Sequence, residues 1–181
     1  MKLVEFSKYQ TEQAPLEFLA FLDLMSREGV TSYLEVGARY GGTFESVMDG
    51  LPDARGTVVD LPAEDFGPDD PREGLNRTKG RLAGRGRDVE LIIGRSASPE
   101  VVAAAALRGP YDGIFIDADH SYEAVKLDFE LYAPMGKIIA LHDIANPAYG
   151  VTKFWGELRG TYKHLEVFQS GFGMGIGVIF K

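Results

Sequence analysis

The chain contains no cysteine, which removes disulfide frameworks, thiolate metal sites and thiol nucleophiles from the chemistry open to it. It is also short of positive charge: 19 Lys and Arg stand against 27 Asp and Glu, for a net charge of −8. Nucleic-acid grooves draw their affinity from clustered Lys and Arg, so nucleic acid is not an expected partner. No apolar run approaches the roughly 18 to 20 residues of a membrane span, and Met1-Lys2-Leu3-Val4-Glu5 lacks the profile of a signal peptide. A cytoplasmic protein with no membrane partner is the expectation. Linkers are missing too, since no Ser/Gly/Pro tract or block of like charge divides the 181 residues, a length near that of one domain. A single domain over 1–181 is expected, with a helical segment over 1–29 and the core over 30–181.

Short apolar runs rich in Val, Ile and Leu alternate with helical patterns. Ser32 to Val36, Thr57 to Leu61, Val89 to Ile93, Gly113 to Asp117 and Lys137 to Leu141 read as buried strands. Near-continuous runs of this kind belong to parallel strands covered by helices on both faces. Helices are expected over Glu12 to Glu28, with Leu16, Leu19, Ala20, Phe21 and Leu24 as its stripe, over Gly42 to Gly50, and over Arg72 to Gly84 despite three glycines. Further helices follow Ser98-Pro99, span Tyr122 to Tyr132 on a stripe of Tyr122, Val125, Phe129 and Tyr132, and occupy Tyr149 to Arg159. His164 to Gln169 and Met174 to Lys181 read as closing strands joined through Ser170-Gly171-Phe172-Gly173. So short a connection makes them antiparallel. The pattern is a doubly wound α/β sheet of about seven strands, mostly parallel, with the last one reversed.

Glu35-Val36-Gly37-Ala38-Arg39-Tyr40-Gly41-Gly42 lies between the first strand and a helix, where open α/β sheets place a ligand. A dinucleotide site wants G-x-G-x-x-G, and Arg39 occupies its second glycine position, crowding a pyrophosphate. The spacing E-x-G-x-x-x-G suits a nucleoside ligand without a pyrophosphate, with Glu35 able to accept a hydrogen bond or pair with a ligand ammonium. Asp60, 23 residues after Gly37, stands where an acid can accept the hydroxyls of a ribose. Gly37 and Gly41 could instead serve a tight turn alone, with Asp60 capping the next loop.

Ile114-Phe115-Ile116-Asp117-Ala118-Asp119-His120-Ser121-Tyr122-Glu123 puts carboxylates and an imidazole just past one buried strand, and Leu141-His142-Asp143 does the same at the next. Ionisable groups gathered there are costly to leave unpaired, so Asp117, His142 and Asp143 form a site candidate. Ser121 and Glu123 are better explained as a helix cap and a first-turn acid.

With Tyr33-Leu34-Glu35-Val36-Gly37, these segments resemble the Rossmann-like class I S-adenosylmethionine-dependent methyltransferases. They are most similar to the small-molecule and sugar O-methyltransferase branch typified by macrocin O-methyltransferase and the cephalosporin-biosynthesis methyltransferase. The resemblance spans residues 30–181. It implies a cofactor over Glu35, Gly37, Arg39 and Gly41, its ribose on Asp60, its adenine near Gly94-Arg95-Ser96-Ala97, and Asp117 beside it. It also implies a divalent metal, magnesium or manganese, on Asp117, His142 and Asp143. The imidazole of His142, where relatives carry an acid, weighs against magnesium, and the ion could use the two acids with water or be absent.

Methyl transfer from a sulfonium is an in-line displacement, so catalysis is largely positioning. A protonated hydroxyl needs a metal or a base, and His142, then His120, are the candidate bases. His164 and Trp155 read as structural. Substrate choice is expected from the loops Pro62 to Pro71 and Ile144 to Gly150, around an acceptor that is small and exposed or enclosed by a second subunit. An NAD-dependent oxidoreductase and a non-catalytic nucleoside-binding module are the rival readings.

Overall fold

A computed structural model describes residues 8–9, 11–61, 72–168, 171 and 174–181. Its strands are β1 (Ser32–Val36), β2 (Arg55–Asp60), β3 (Val89–Ile93), β4 (Tyr111–Ile116), β5 (Gly136–His142), β6 (Lys163–Val167) and β7 (Ile176–Phe180). They form one sheet in the order β3-β2-β1-β4-β5-β7-β6, in which β7 alone is antiparallel to its neighbours. This is the expected Rossmann-like, doubly wound α/β sheet. The strand order reverses between β1 and β4, the switch point at which such sheets open a crevice.

Among the described residues, three helices cover each face. On one side α1 (Pro15–Arg27), α2 (Gly42–Gly50) and α3 (Arg72–Gly84) pack on Tyr33, Val58, Phe115 and Ala140. On the other, α4 (Pro99–Arg108), α5 (Tyr122–Tyr132) and α6 (Gly150–Arg159) pack on Leu34, Val59, Ile114 and Ile139. Successive strand residues therefore bury opposite ways, which explains why the strands read as continuous apolar runs.

The first helix departs from expectation. It begins at Pro15, and its buried face is Phe18, Phe21, Leu22 and Met25, leaving Leu16 exposed. The two phenylalanines set the helix rotation by packing on Phe115, Phe18 edge-on and Phe21 tilted, at centroid distances of 6.4 and 5.1 Å. The glycine-interrupted α3 forms because Leu75, Thr78 and Leu82 are buried on one face, while Gly80 and Gly84 meet open space. Ser98 stands at the N-cap of α4 without a side-chain cap bond. Ser121 does cap α5, accepting from Ala124 N. The loop Pro62 to Pro71 and most of the turn before β7 lie outside the described residues.

Gly150 fixes the angle between α5 and α6. A Cβ there would lie 2.1 Å from Tyr122 N, a backbone atom that cannot give way, and Gly150 N donates to His120 O at 2.9 Å. Gly150→Ala should destabilise the fold by about 3 kcal/mol. Gly156→Ala, in the same helix but facing open space, should stabilise it by about 1 kcal/mol. Urea unfolding of the two variants checks this contrast.

Candidate active site

Strand register places the site. Val36 is level with Val59 on β2 and with Ile116 on β4, and Ile116 is level with Leu141 on β5. The next residue of each strand, namely Gly37, Asp60, Asp117 and His142, therefore arrives at the same edge of the sheet. Gly37 N donates to Val59 O and Asp117 N to Val36 O, each at 2.9 Å.

Above this edge opens a cavity of about 710 Å³, within the range of small-molecule sites. Gly37, Arg39, Asp60, Ser96, Ala97, Asp117 and His120 line it, as do Thr11, Gln13, Ala124 and Asp128. Gly37 has φ +86°, and a Cβ there would sit 2.3 Å from Asp117 O. Its glycine thus serves close contact between two loops as well as the turn. Gly41 (φ +79°) starts α2 and packs against Leu75 and Thr78, away from the cavity. Arg39 takes a left-handed φ of 50° and pairs with Glu12 at 2.6 Å.

Asp60 braces this loop. Its Oδ2 accepts from Ala38 N and Arg39 N at 2.8 and 2.6 Å, and its Oδ1 from Leu61 N at 2.7 Å. A carboxylate offers about four lone-pair sites, so three backbone bonds leave room for one ribose hydroxyl, where the sequence reading had Asp60 accept more. Glu35 lies under the loop and outside the cavity, fully buried, accepting Tyr33 Oη at 2.8 Å. Burial holds it well above the usual carboxylate range, outweighing the hydrogen bond from Tyr33. Its place beneath the loop makes it a support and keeps it from pairing with a ligand ammonium in the cavity.

Asp117, His120, His142 and Asp143 form a closed cluster. Asp117 Oδ1 lies 3.2 Å from His142 Nδ1 and 3.6 Å from His120 Nε2, while Asp143 Oδ2 lies 3.2 Å from His120 Nε2 and 3.5 Å from His142 Nδ1. Gln13 Nε2 donates to Asp117 Oδ2 at 2.7 Å. Burial pulls the His142 pKa down, but the charges and hydrogen bonds of Asp117 and Asp143 overcome it and leave it at about 10. The two carboxylates thus favour the protonated form of His142 at neutral pH. Burial pushes the Asp117 carboxyl up, yet the two imidazoles hold it well below the usual range. Hydrogen bonding to Asp117 raises His120 against the opposing effect of burial.

The cluster also fits a divalent ion. Asp117, His120 and Asp143 each offer a ligand atom within 4.8 Å of the others, and Asp143 Oδ1 is buried without a hydrogen-bond partner. The sequence reading put His142 in this set. The group whose ligand atoms converge has His120 in its place, and His120 also lines the cavity. Two carboxylates and one imidazole suit manganese, which accepts nitrogen ligands more readily, better than magnesium. Asp143 holds φ +61°, a left-handed conformation whose cost is characteristic of working sites.

Several contributors carried no signal at the level of motif. Thr11 and Gln13 come from an irregular polar segment ahead of α1. Tyr149, in the loop Ile144 to Gly150, stacks on His120 at 4.4 Å and 24°. Trp155 is core, donating to Glu166 and packed on Gly177, and His164 stands on the edge strand β6.

Asp128 left one trace, an acid on the inward side of α5 beside Phe129. It is 2% exposed. Burial pushes its pKa up to about 6, offset in part by the Ser96 hydroxyl and reinforced by Asp119. The fold favours its neutral form, so its contribution is full below the ordinary 3.8 and is lost as pH rises through about 6. Asp128→Asn should therefore raise stability at pH 8 by up to about 3 kcal/mol, with the gain vanishing near pH 4. Thermal melts at the two pH values test it.

Residues 34–144 match the family described as methyltransferase domain. No curated protein sequence matches the chain. Among solved structures, the chain is similar to an O-methyltransferase from Bacillus cereus in complex with SAH, with a TM-score of 0.67 at 19% identity, covering 99% of this chain and 90% of that one. It is also similar to the O-methyltransferase TomG of Streptomyces achromogenes, involved in tomaymycin synthesis and solved with SAM, with a TM-score of 0.68 at 18% identity, covering 94% and 82%. An SAH-bound methyltransferase from Podospora anserina gives a TM-score of 0.62 at 18% identity, covering 99% and 87%. At these identities the likeness is one of fold.

Proposed function

The chain belongs to the methyltransferase-domain family, and from that premise we propose that it transfers the methyl group of S-adenosylmethionine to an oxygen of a small hydroxyl-bearing acceptor. The observation that carries this reading is continuity: one cavity runs from the glycine loop and Asp60 to the carboxylate–imidazole cluster at Asp117 and His120. The D-A-D-H-S-Y segment with the later His142-Asp143 inclines the reading to the small-molecule and sugar branch typified by macrocin O-methyltransferase.

When bound, the cofactor supplies an electrophilic methyl group on sulfur. Gly37 and Arg39 would border it, Asp60 would accept a ribose hydroxyl, Ser96 and Ala97 would flank the adenine, and Asp117 would stand at the junction with the acceptor. His120, half exposed in the cavity and oriented by Asp117 and Tyr149, is the side chain placed to take the hydroxyl proton. The His142 cation balances the two carboxylates and keeps Asp117 ionised. Asp117, His120 and Asp143 would hold a divalent ion, which when bound acidifies a hydroxyl, His120 then being a ligand. A dinucleotide's pyrophosphate would meet the side chain of Arg39, which pairs with Glu12 at the cavity, and this weighs against hydride transfer.

The test is incubation with S-adenosylmethionine and a panel of phenols, catechols, sugars and amines, with manganese or with chelator, and mass spectrometry of the products. Methyl ethers are expected. Methylation of amines alone would contradict the reading.

A further inference from the structure

We propose that Asp128 reads the 6-amino group of the cofactor's adenine and so sets the purine specificity of the site. The inference rests on the S-adenosylmethionine reading and adds to it a residue that no sequence motif marks.

Asp128 lies on the inward face of α5, in the stripe with Val125, Phe129 and Tyr132. Packing alone favours an apolar residue there, since a carboxyl group so buried is costly without compensation. Among the described residues no Lys or Arg forms an ion pair with it, and the charge that acts on it is Asp119, of the same sign. What little of it is exposed faces the cavity, which Ser96, Ala97 and Ala124 line with it.

The surroundings fit a flat base with a donor on its edge. α5 grips the turn after β3 at two points: Tyr132 Oη donates to Ser96 O at 2.7 Å, and the Ser96 hydroxyl bonds the Asp128 carboxyl. That one bond leaves acceptor capacity on the carboxyl group. Ala97 and Ala124 are small enough to leave a slot between the turn and the helix, and Asp60 marks the ribose end of the cavity. An adenine there presents its 6-amino group as a donor. A 6-oxo purine would set one acceptor against another, and a site built around a hydrogen bond rejects the ligand that cannot make it.

The experiment is calorimetric titration of wild type, Asp128→Ala and Asp128→Asn with S-adenosylhomocysteine and with its 6-oxo counterpart, S-inosylhomocysteine. Wild type should bind the adenosyl compound at least about tenfold more tightly, and Asp128→Ala should bind the two within about threefold of each other. Asp128→Asn keeps the shape and can turn its amide to donate to a 6-oxo group, so its preference should move toward the inosyl compound. If wild type fails to discriminate, or if both variants keep its preference, Asp128 only braces Ser96 and the inference is overturned. Wild type that binds neither nucleoside overturns the cofactor reading and this inference with it.

Discussion

Asp117→Asn should lower methyl transfer by about 10²–10⁴-fold, the range for loss of a positioned charge or proton-transfer partner at a reacting centre. Asp117 is the hub of the cluster, facing both imidazoles through one oxygen and Gln13 through the other. Without its charge, His120 loses the partner that orients it and raises its basicity. His142 becomes a buried cation with one counter-charge in place of two, a loss of about 3 kcal/mol in stability. The pH dependence follows in sign. Stability from His142 pairing is full below its ordinary 6.5 and is lost as pH rises through about 10, while that from Asp117 is present above 3.8 and lost as pH falls below it. Melting curves should therefore show the wild-type advantage at pH 7 shrinking at both extremes. Asp143→Asn separates catalysis from binding, because Asp143 does not line the cavity and Asn tolerates its left-handed backbone. It should lose turnover while S-adenosylhomocysteine affinity stays within about threefold. Unchanged turnover in both variants would remove the cluster from the chemistry.

Asp60→Ala should weaken S-adenosylhomocysteine binding by about 10²-fold, the worth of one hydrogen bond to a charged group together with the loosening of the loop. The effect has two sources. The variant loses the acceptor left for a ribose hydroxyl, and it releases the N–H groups of Ala38, Arg39 and Leu61. Arg39 is held at φ 50° by that contact, so the loop that borders the ligand should relax along with it. Calorimetry gives the affinity and a thermal melt the cost of the freed donors. Affinity within about threefold of wild type would mean that Asp60 serves the loop alone.

The sheet was legible because parallel strands bury both faces, and that leaves Val, Ile and Leu runs whose ends fall within two residues of those observed. The rotation of α1 was less so: Leu16, Leu19 and Leu24 compete with Phe18, Leu22 and Met25 as companions of Phe21, and the choice depends on Phe115, almost a hundred residues away. The cluster was legible as Asp117, His142 and Asp143 because strand ends in register bring successive motifs together. Which imidazole faces the cavity was not, since His142 ends the buried strand β5 while His120 sits on the loop after β4, stacked on Tyr149. Glu35 looked like a ligand group because an acid before Gly37 is part of the motif. Full burial and the Tyr33 hydroxyl make it a support. Gln13 reaches Asp117 across 104 positions of sequence, a contact no local pattern announces.

The most direct test of the central claim is calorimetric titration of the purified protein with S-adenosylhomocysteine, with NADH as control and with manganese present and absent. Saturable binding of S-adenosylhomocysteine and none of NADH is the expected result, with a manganese effect that Asp143→Asn removes. Binding of NADH in its place, or of neither compound, would contradict a methyltransferase whose cofactor lies across Gly37, Asp60 and Ser96.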